Sequence, residues 1–157
     1  MTIFGTVLSG VLVFVLGQII LKLLIEPIQS YKNLISKIGF DLIQYGNVFA
    51  NPKGKEHTVT NDACTKMRCH SSSLYSYFYL VPFYKVSCRI FNLPTEDEVL
   101  EATKQLIGLS NGHDGEVANQ GILNCYSAQK VKIALGIAIP KSEWLEPEKE
   151  IEFIKSK

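Results

Sequence analysis

The stretch Met1-Thr2-Ile3-Phe4-Gly5-Thr6-Val7-Leu8-Ser9-Gly10-Val11-Leu12-Val13-Phe14-Val15-Leu16-Gly17-Gln18-Ile19-Ile20-Leu21 carries no charged side chain. As a helix it rises ~32 Å, against a bilayer hydrocarbon core of ~30 Å. Lys22 and Glu26 close the run, and Pro27 follows. A cleaved signal peptide would open on Lys or Arg, hold a shorter apolar core and end on small residues. Here the run leads into Lys22-Leu23-Leu24-Ile25-Glu26-Pro27 instead. Helices buried in soluble cores rarely stay uncharged for this length. The stretch therefore predicts one transmembrane helix, residues 1–26, ahead of a soluble domain.

Lys and Arg are enriched on the cytoplasmic side of short flanking segments. None precedes the run, while Lys22, Lys32 and Lys37 follow it. This predicts a single-pass protein with its C-terminal domain in the cytoplasm. Cys64, Cys69, Cys88 and Cys125 form no C-x-x-C pair and have no His at ligand spacing. They read as reduced thiols, packed as small hydrophobes, rather than a disulfide framework or a metal site.

A seam of 3-4 spacing runs through Ile3, Val7, Gly10, Phe14, Gly17, Leu21 and Leu24. It continues in phase through Ile28, Tyr31, Ile35, Ile38, Leu42, Tyr45 and Phe49. Parallel helices pack along such a seam, and Gly10 and Gly17 on one face permit close approach in lipid. Past Pro27 the other positions are polar: Gln29, Lys32, Asn33, Ser36, Lys37, Asp41 and Gln44. Residues 27–50 thus predict an amphipathic juxtamembrane helix. Its stripe serves an oligomer, the chain's own domain, or both. Pro27 removes a backbone donor and predicts a kink or break at the junction, and so a possible hinge.

Residues 51–157 predict a small helical bundle, which makes the whole chain all-α. Asn51-Pro52-Lys53-Gly54-Lys55-Glu56-His57 reads as a loop. Asn61 or Asp62 can cap the next helix, with Ala63, Met67, Ser71, Leu74, Phe78 and Val81 on its inner face. Residues 83–91 predict a short helix. Thr95-Glu96-Asp97-Glu98 is a capping box, and Asn111-Gly112 predicts a left-handed stop. The last long helix would begin at Asp114 or Gly115 and run to about Leu135. The tail beyond Pro140 and Pro147 allows one short helix. No stretch alternates as a strand does.

Nothing assembles a catalytic site. The three histidines are far apart, no nucleophile elbow or phosphate-cradling glycine loop occurs, and Asp97, Glu98 and Glu101 suit a helix start. The reading is a non-enzyme with no cofactor and no bound metal. A net charge of +1 also argues against a DNA-binding face. A compact anionic ligand is better served. Candidate donors are Asn51, Lys53, Lys55 and His57 in the first loop, Lys66 and Arg68 on the helix after it, and Ser110, Asn111 and His113 at the later junction. For each, ordinary solvated loop or helix-face chemistry is the plain alternative.

Four further word-like stretches span the chain to about Asn111. They are Glu26-Pro27-Ile28-Gln29, Gly46-Asn47-Val48-Phe49-Ala50-Asn51-Pro52, Val81-Pro82-Phe83-Tyr84 and Glu101-Ala102-Thr103-Lys104-Gln105-Leu106-Ile107-Gly108-Leu109-Ser110-Asn111. Together they resemble small bacterial membrane proteins with one N-terminal span and a helical cytosolic domain. Among such proteins are membrane effectors of type III CRISPR antiviral defence that bind cyclic tetra-adenylate. The resemblance implies a homotetramer in the bacterial inner membrane. Its cytosolic domain would bind the cyclic oligoadenylate second messenger, and binding would perturb or open the membrane domain. None of the four stretches is a catalytic motif. A single-span tether whose bundle binds a protein partner is the alternative from another class, and a ligand-independent membrane toxin is a third.

Overall fold

One helical run carries the chain from Thr2 to Gln44: α1 (Thr2–Ile20), a π-helical turn (Leu21–Ile25) and α2 (Glu26–Gln44). The structure, a computed structural model, describes residues 2–54, 56–113 and 119–155. Its helices continue as α3 (Gly46–Ala50), α4 (Thr58–Leu80), α5 (Tyr84–Phe91), α6 (Glu96–Asn111), α7 (Gln120–Ala134), a 3₁₀ turn (Lys141–Glu143) and α8 (Pro147–Lys155). The fold is all-helical, with no strand among the described residues.

The helix runs on through Pro27, where the sequence predicts a kink or break. Proline lacks the N–H that would reach the carbonyl of Leu23, and its ring crowds that turn. The backbone widens just ahead of it: the Glu26 N–H reaches back five residues to the Leu21 carbonyl. A π turn absorbs the proline and keeps the run helical. The run is long and apolar enough to cross a membrane, and none of its most apolar window is buried by the rest of the chain.

Beyond the π turn the amphipathic pattern is used inside the chain. Ile28, Tyr31, Leu34, Ile38 and Leu42 of α2, with Tyr45 and Phe49, are buried in one core with α4, α6 and α7. The stripe that could have joined neighbouring subunits along residues 28–49 is therefore covered by the chain's own bundle. Full burial of each such side chain contributes roughly 1.5–3 kcal/mol.

α4 returns antiparallel along α2. Tyr45 hydroxyl donates to Asp62 near the start of α4, Asp41 meets His70 further along, and at the far end the Tyr31 ring packs edge-on to Tyr84, which packs against Phe78 of α4. α6 then runs antiparallel to α4: Cys64 lies against the Leu109 carbonyl, and Ser71 Oγ donates to the Thr103 carbonyl at 3.2 Å. α4 begins at Thr58, earlier than the Asn61 or Asp62 cap implied by the sequence. The capping box holds as read: Glu98 N–H donates to Thr95 Oγ1 at 3.4 Å, and the Thr95 N–H donates to Glu98 Oε2 at 2.6 Å. Gly112 does not make the left-handed stop, having φ −82°. Among the described residues the left-handed positions are Phe83, Asn92 and Gly136. The start expected at Asp114 or Gly115 lies outside the described residues. Among the cysteines, Cys64 is buried, Cys88 and Cys125 are half-buried, and Cys69 is exposed, so the packed-hydrophobe reading fails for Cys69.

Candidate ligand-binding cleft

Where α4 meets the end of α6, eight described residues surround a cleft of about 280 Å³. The α4 wall comes from Asn61, Cys64, Thr65, Arg68 and Cys69, which recur at helical spacing along one face. The opposite wall is Ser110, Asn111 and His113. Arg68 ties the two together. Its Nη2 donates to Asn111 Oδ1 at 2.7 Å and to Ser110 Oγ at 3.3 Å. Ser110 Oγ in turn donates to the Ile107 carbonyl at 2.8 Å, inside its own helix. The guanidinium's five N–H groups are thereby only partly used. Arg68 and Asn111 are exposed, while Ser110 and His113 are buried at the base.

Arg68 is the one formal charge among the lining residues, and no described carboxylate lines the cleft. Hydroxyl and amide groups flank it. A planar guanidinium in such a setting pairs well with an anionic oxygen.

The segment that presents Asn111 and His113 is fixed from behind by Asn124 of α7. Buried Asn124 Nδ2 donates to the Gly112 carbonyl at 2.7 Å and to the Phe49 carbonyl at 3.1 Å. Its Oδ1 accepts from Gln120 Nε2 at 2.9 Å. Gly112 is required for this approach, because a Cβ there would stand 2.1 Å from Asn124 Oδ1. Gly121 is held more rigidly still, because a Cβ there would stand 2.1 Å from a backbone atom, the Ala50 carbonyl oxygen. The end of α3, the start of α7 and the α6 terminus thus form one joint.

Of the nine candidate residues, Arg68, Ser110, Asn111 and His113 line this cleft together, and the other described ones do not. Lys66 turns away from it. Its Nζ sits 5.1 Å from the Tyr45 ring centroid and 3.9 Å from Asp41 Oδ1. Neighbouring Tyr45, with the Asp41 and Asp62 carboxylates, holds this ammonium above its ordinary range. Asn51 caps α3, its amide nitrogen donating to Asn47 Oδ1 at 2.9 Å. His57 lies beside Thr60, Nδ1 to Oγ1 3.4 Å, and Lys53 is exposed on the connecting loop. Lys55 lies outside the described residues. The sequence reading missed Thr65 and Cys69 as lining residues and took Asn61 only as a cap. Their i, i+4, i+8 spacing was the available signal.

A second polar cluster sits between α2 and α4. His70 Nε2 is 2.6 Å from Asp41 Oδ2, and both side chains are largely buried. Asp41 was assigned from periodicity to the outer face of α2, and the structure corrects this. It is accommodated inward because His70 and Lys66 meet its charge there.

No protein-family model, curated protein or solved structure matches the chain.

Proposed function

We propose that this chain is a membrane-anchored antiviral effector of the type III CRISPR kind. Its cytosolic bundle binds a cyclic oligoadenylate, with cyclic tetra-adenylate as the leading candidate, and the bound state perturbs or opens the membrane segment. The protein would be single-pass in a bacterial inner membrane, with the bundle cytoplasmic, and would act without catalysis.

One observation carries this reading: donors widely separated in sequence converge on a cleft in which Arg68 is the one formal charge among the described lining residues. The guanidinium suits a phosphate, and the Asn61 and Asn111 amides suit the hydrogen-bonding edge of an adenine. The volume of about 280 Å³ lies just below the ~300–1,000 Å³ range of small-molecule sites. One subunit would hold part of the ring, and a symmetric homotetramer would supply the rest. Since α2 uses its stripe within the chain, contacts between subunits would fall to α1 and the outer faces of the bundle. A ligand that binds one arrangement of the oligomer better than another shifts the population toward it.

The test is binding of labelled cyclic tri-, tetra- and hexa-adenylate to the full chain in lipid nanodiscs. Binding of one ring size, weakened by Arg68→Ala, supports the proposal. If no ring binds, a membrane tether with a protein partner becomes the better reading.

A further inference from the structure

The antiparallel course of α4 places its last turn and α5 at the end of the bundle nearest α1. Pairings along α2 step from Tyr45 with Asp62, through Asp41 with His70, to Tyr31 with Tyr84. Tyr31 lies ten residues past Leu21, or ~15 Å along the helix, and Ile28 lies ~10 Å past it. The headgroup layer extends ~5–8 Å beyond the hydrocarbon core. Those two levels stand beyond that layer, but Leu24, ~5 Å past Leu21, is itself partly buried against the core, so with α1 in the bilayer the end of the bundle that carries the α4–α5 corner reaches the headgroups.

That corner is apolar on its outer side. The apolar stripe around this corner consists of exposed Leu80 at the end of α4, Phe83 in the turn, and Val86 and Ile90 one turn apart on α5. Phe83 is 85% exposed, and it occupies the left-handed region at φ 48°. A bulky aromatic residue there is a true outlier. The strain serves no packing in the bundle, since it turns a large ring outward. Beneath the stripe the corner is firmly seated. Tyr84 donates to the Pro94 carbonyl at 2.6 Å and packs against Phe78, the ring centroids 4.3 Å apart and the planes tilted by 55°. Lys85 and Arg89 flank the stripe, balanced by Glu96 and Asp97 across a groove of about 610 Å³.

We infer that this corner is a second membrane contact: Leu80, Phe83, Val86 and Ile90 insert at the headgroup–acyl boundary beside the span. The inference rests on α1 crossing the bilayer. A short amphipathic helix with aromatic and aliphatic anchors binds at this depth by apolar burial, and Lys85 and Arg89 reach the headgroups. Because basic and acidic groups balance, no anionic lipid is needed. The contact fixes the bundle's tilt on the membrane, so motion in the bundle must either lift this corner or turn the span.

The test uses the full chain in phosphatidylcholine vesicles containing brominated lipids, which quench indole fluorescence on contact. The chain's one tryptophan, Trp144, is the membrane-distal reference; neighbouring Leu145 lies in the pocket formed by Leu42 and Phe49 at the far end of α2. Two probes are placed in a Trp144→Phe background, Phe83→Trp for the corner and Leu12→Trp for the span. The expected result is quenching of Leu12→Trp by deep bromines, quenching of Phe83→Trp by shallow ones, and none for Trp144. If Leu12→Trp is quenched while Phe83→Trp behaves like Trp144, the corner does not touch lipid and the inference falls. A blue-shifted but unquenched Phe83→Trp overturns it in favour of a second protein copy. Absence of quenching at Leu12→Trp removes the span itself, and the inference with it.

Discussion

Asp41 and His70 meet at 2.6 Å across the α2–α4 interface, each side chain only about one-eighth exposed. The pair joins the helix that continues the apolar N-terminal run to the helix that forms one wall of the cleft. Removing either partner leaves the other poorly hydrated and half-paired, at a cost of ~1–3 kcal/mol. His70→Ala and Asp41→Ala should each lower the unfolding midpoint of the full chain in detergent, and the double variant should lose less than the sum. Simple additivity would mean that the two groups do not interact.

Thr95 and Glu98 exchange hydrogen bonds at the start of α6. Thr95→Ala should cost ~1 kcal/mol through loss of the cap. Thr95→Ser should recover most of that in the same denaturant titration, because the hydroxyl is retained. Equal losses for the two variants would assign the effect to the methyl group instead.

Gly121 and Gly46 make opposite predictions for the same substitution. At Gly121 the added Cβ meets a backbone oxygen of Ala50 at 2.1 Å, whereas at Gly46 nothing lies within 4 Å. Gly121→Ala should destabilise by ~1–3 kcal/mol, as overpacking does. It should also disturb the Asn124 bond to the Gly112 carbonyl, and with it the cleft. Gly46→Ala, inside α3, should be neutral or stabilising by up to ~1 kcal/mol. Similar midpoints for both would show that α3 and α7 are not packed this closely.

Tyr31 gives the pH dependence. Burial, then the adjoining Tyr84 hydroxyl, holds its phenol well above the ordinary value of 10.0. Tyr84 is likewise raised, chiefly by burial. The unfolded chain therefore releases these protons first, so the folded state binds more protons above the unfolded pKa. The stabilising contribution is complete below about pH 10 and falls as the pH rises through and beyond it. Tyr31→Phe should flatten the alkaline limb of a stability–pH curve, measured by chemical denaturation. An unchanged limb would place the ionisation elsewhere.

The apolar run and the amphipathic helix behind it were legible because 3.6-residue periodicity marks one face wherever that face is buried. The Thr95 cap was legible because its signal is local. Asp41 was not, since its inward turn depends on His70, a residue 29 positions away on another helix. Proline chemistry correctly marks a disturbance at Pro27, but it does not say which remedy the backbone takes, and here it is a π turn. Half of the cleft could be read as a donor-rich segment at the end of α6. Its partner face could not, because Asn61, Thr65 and Cys69 look like ordinary helix surface until α6 is laid against them. Lys66 shows the converse: a basic residue two positions from Arg68 points to a different neighbour, as helix geometry demands.

The central claim is that a ligand in the Arg68 cleft acts on the membrane segment. Its most direct test is release of a trapped fluorophore from vesicles carrying the full chain, with cyclic tetra-adenylate added outside and the bundle facing outward. The account predicts release that requires the nucleotide, saturates with its concentration and is lost in Arg68→Ala, a variant that should fold normally because Arg68 is exposed. Release independent of nucleotide, or nucleotide-dependent release that Arg68→Ala leaves unchanged, would contradict it.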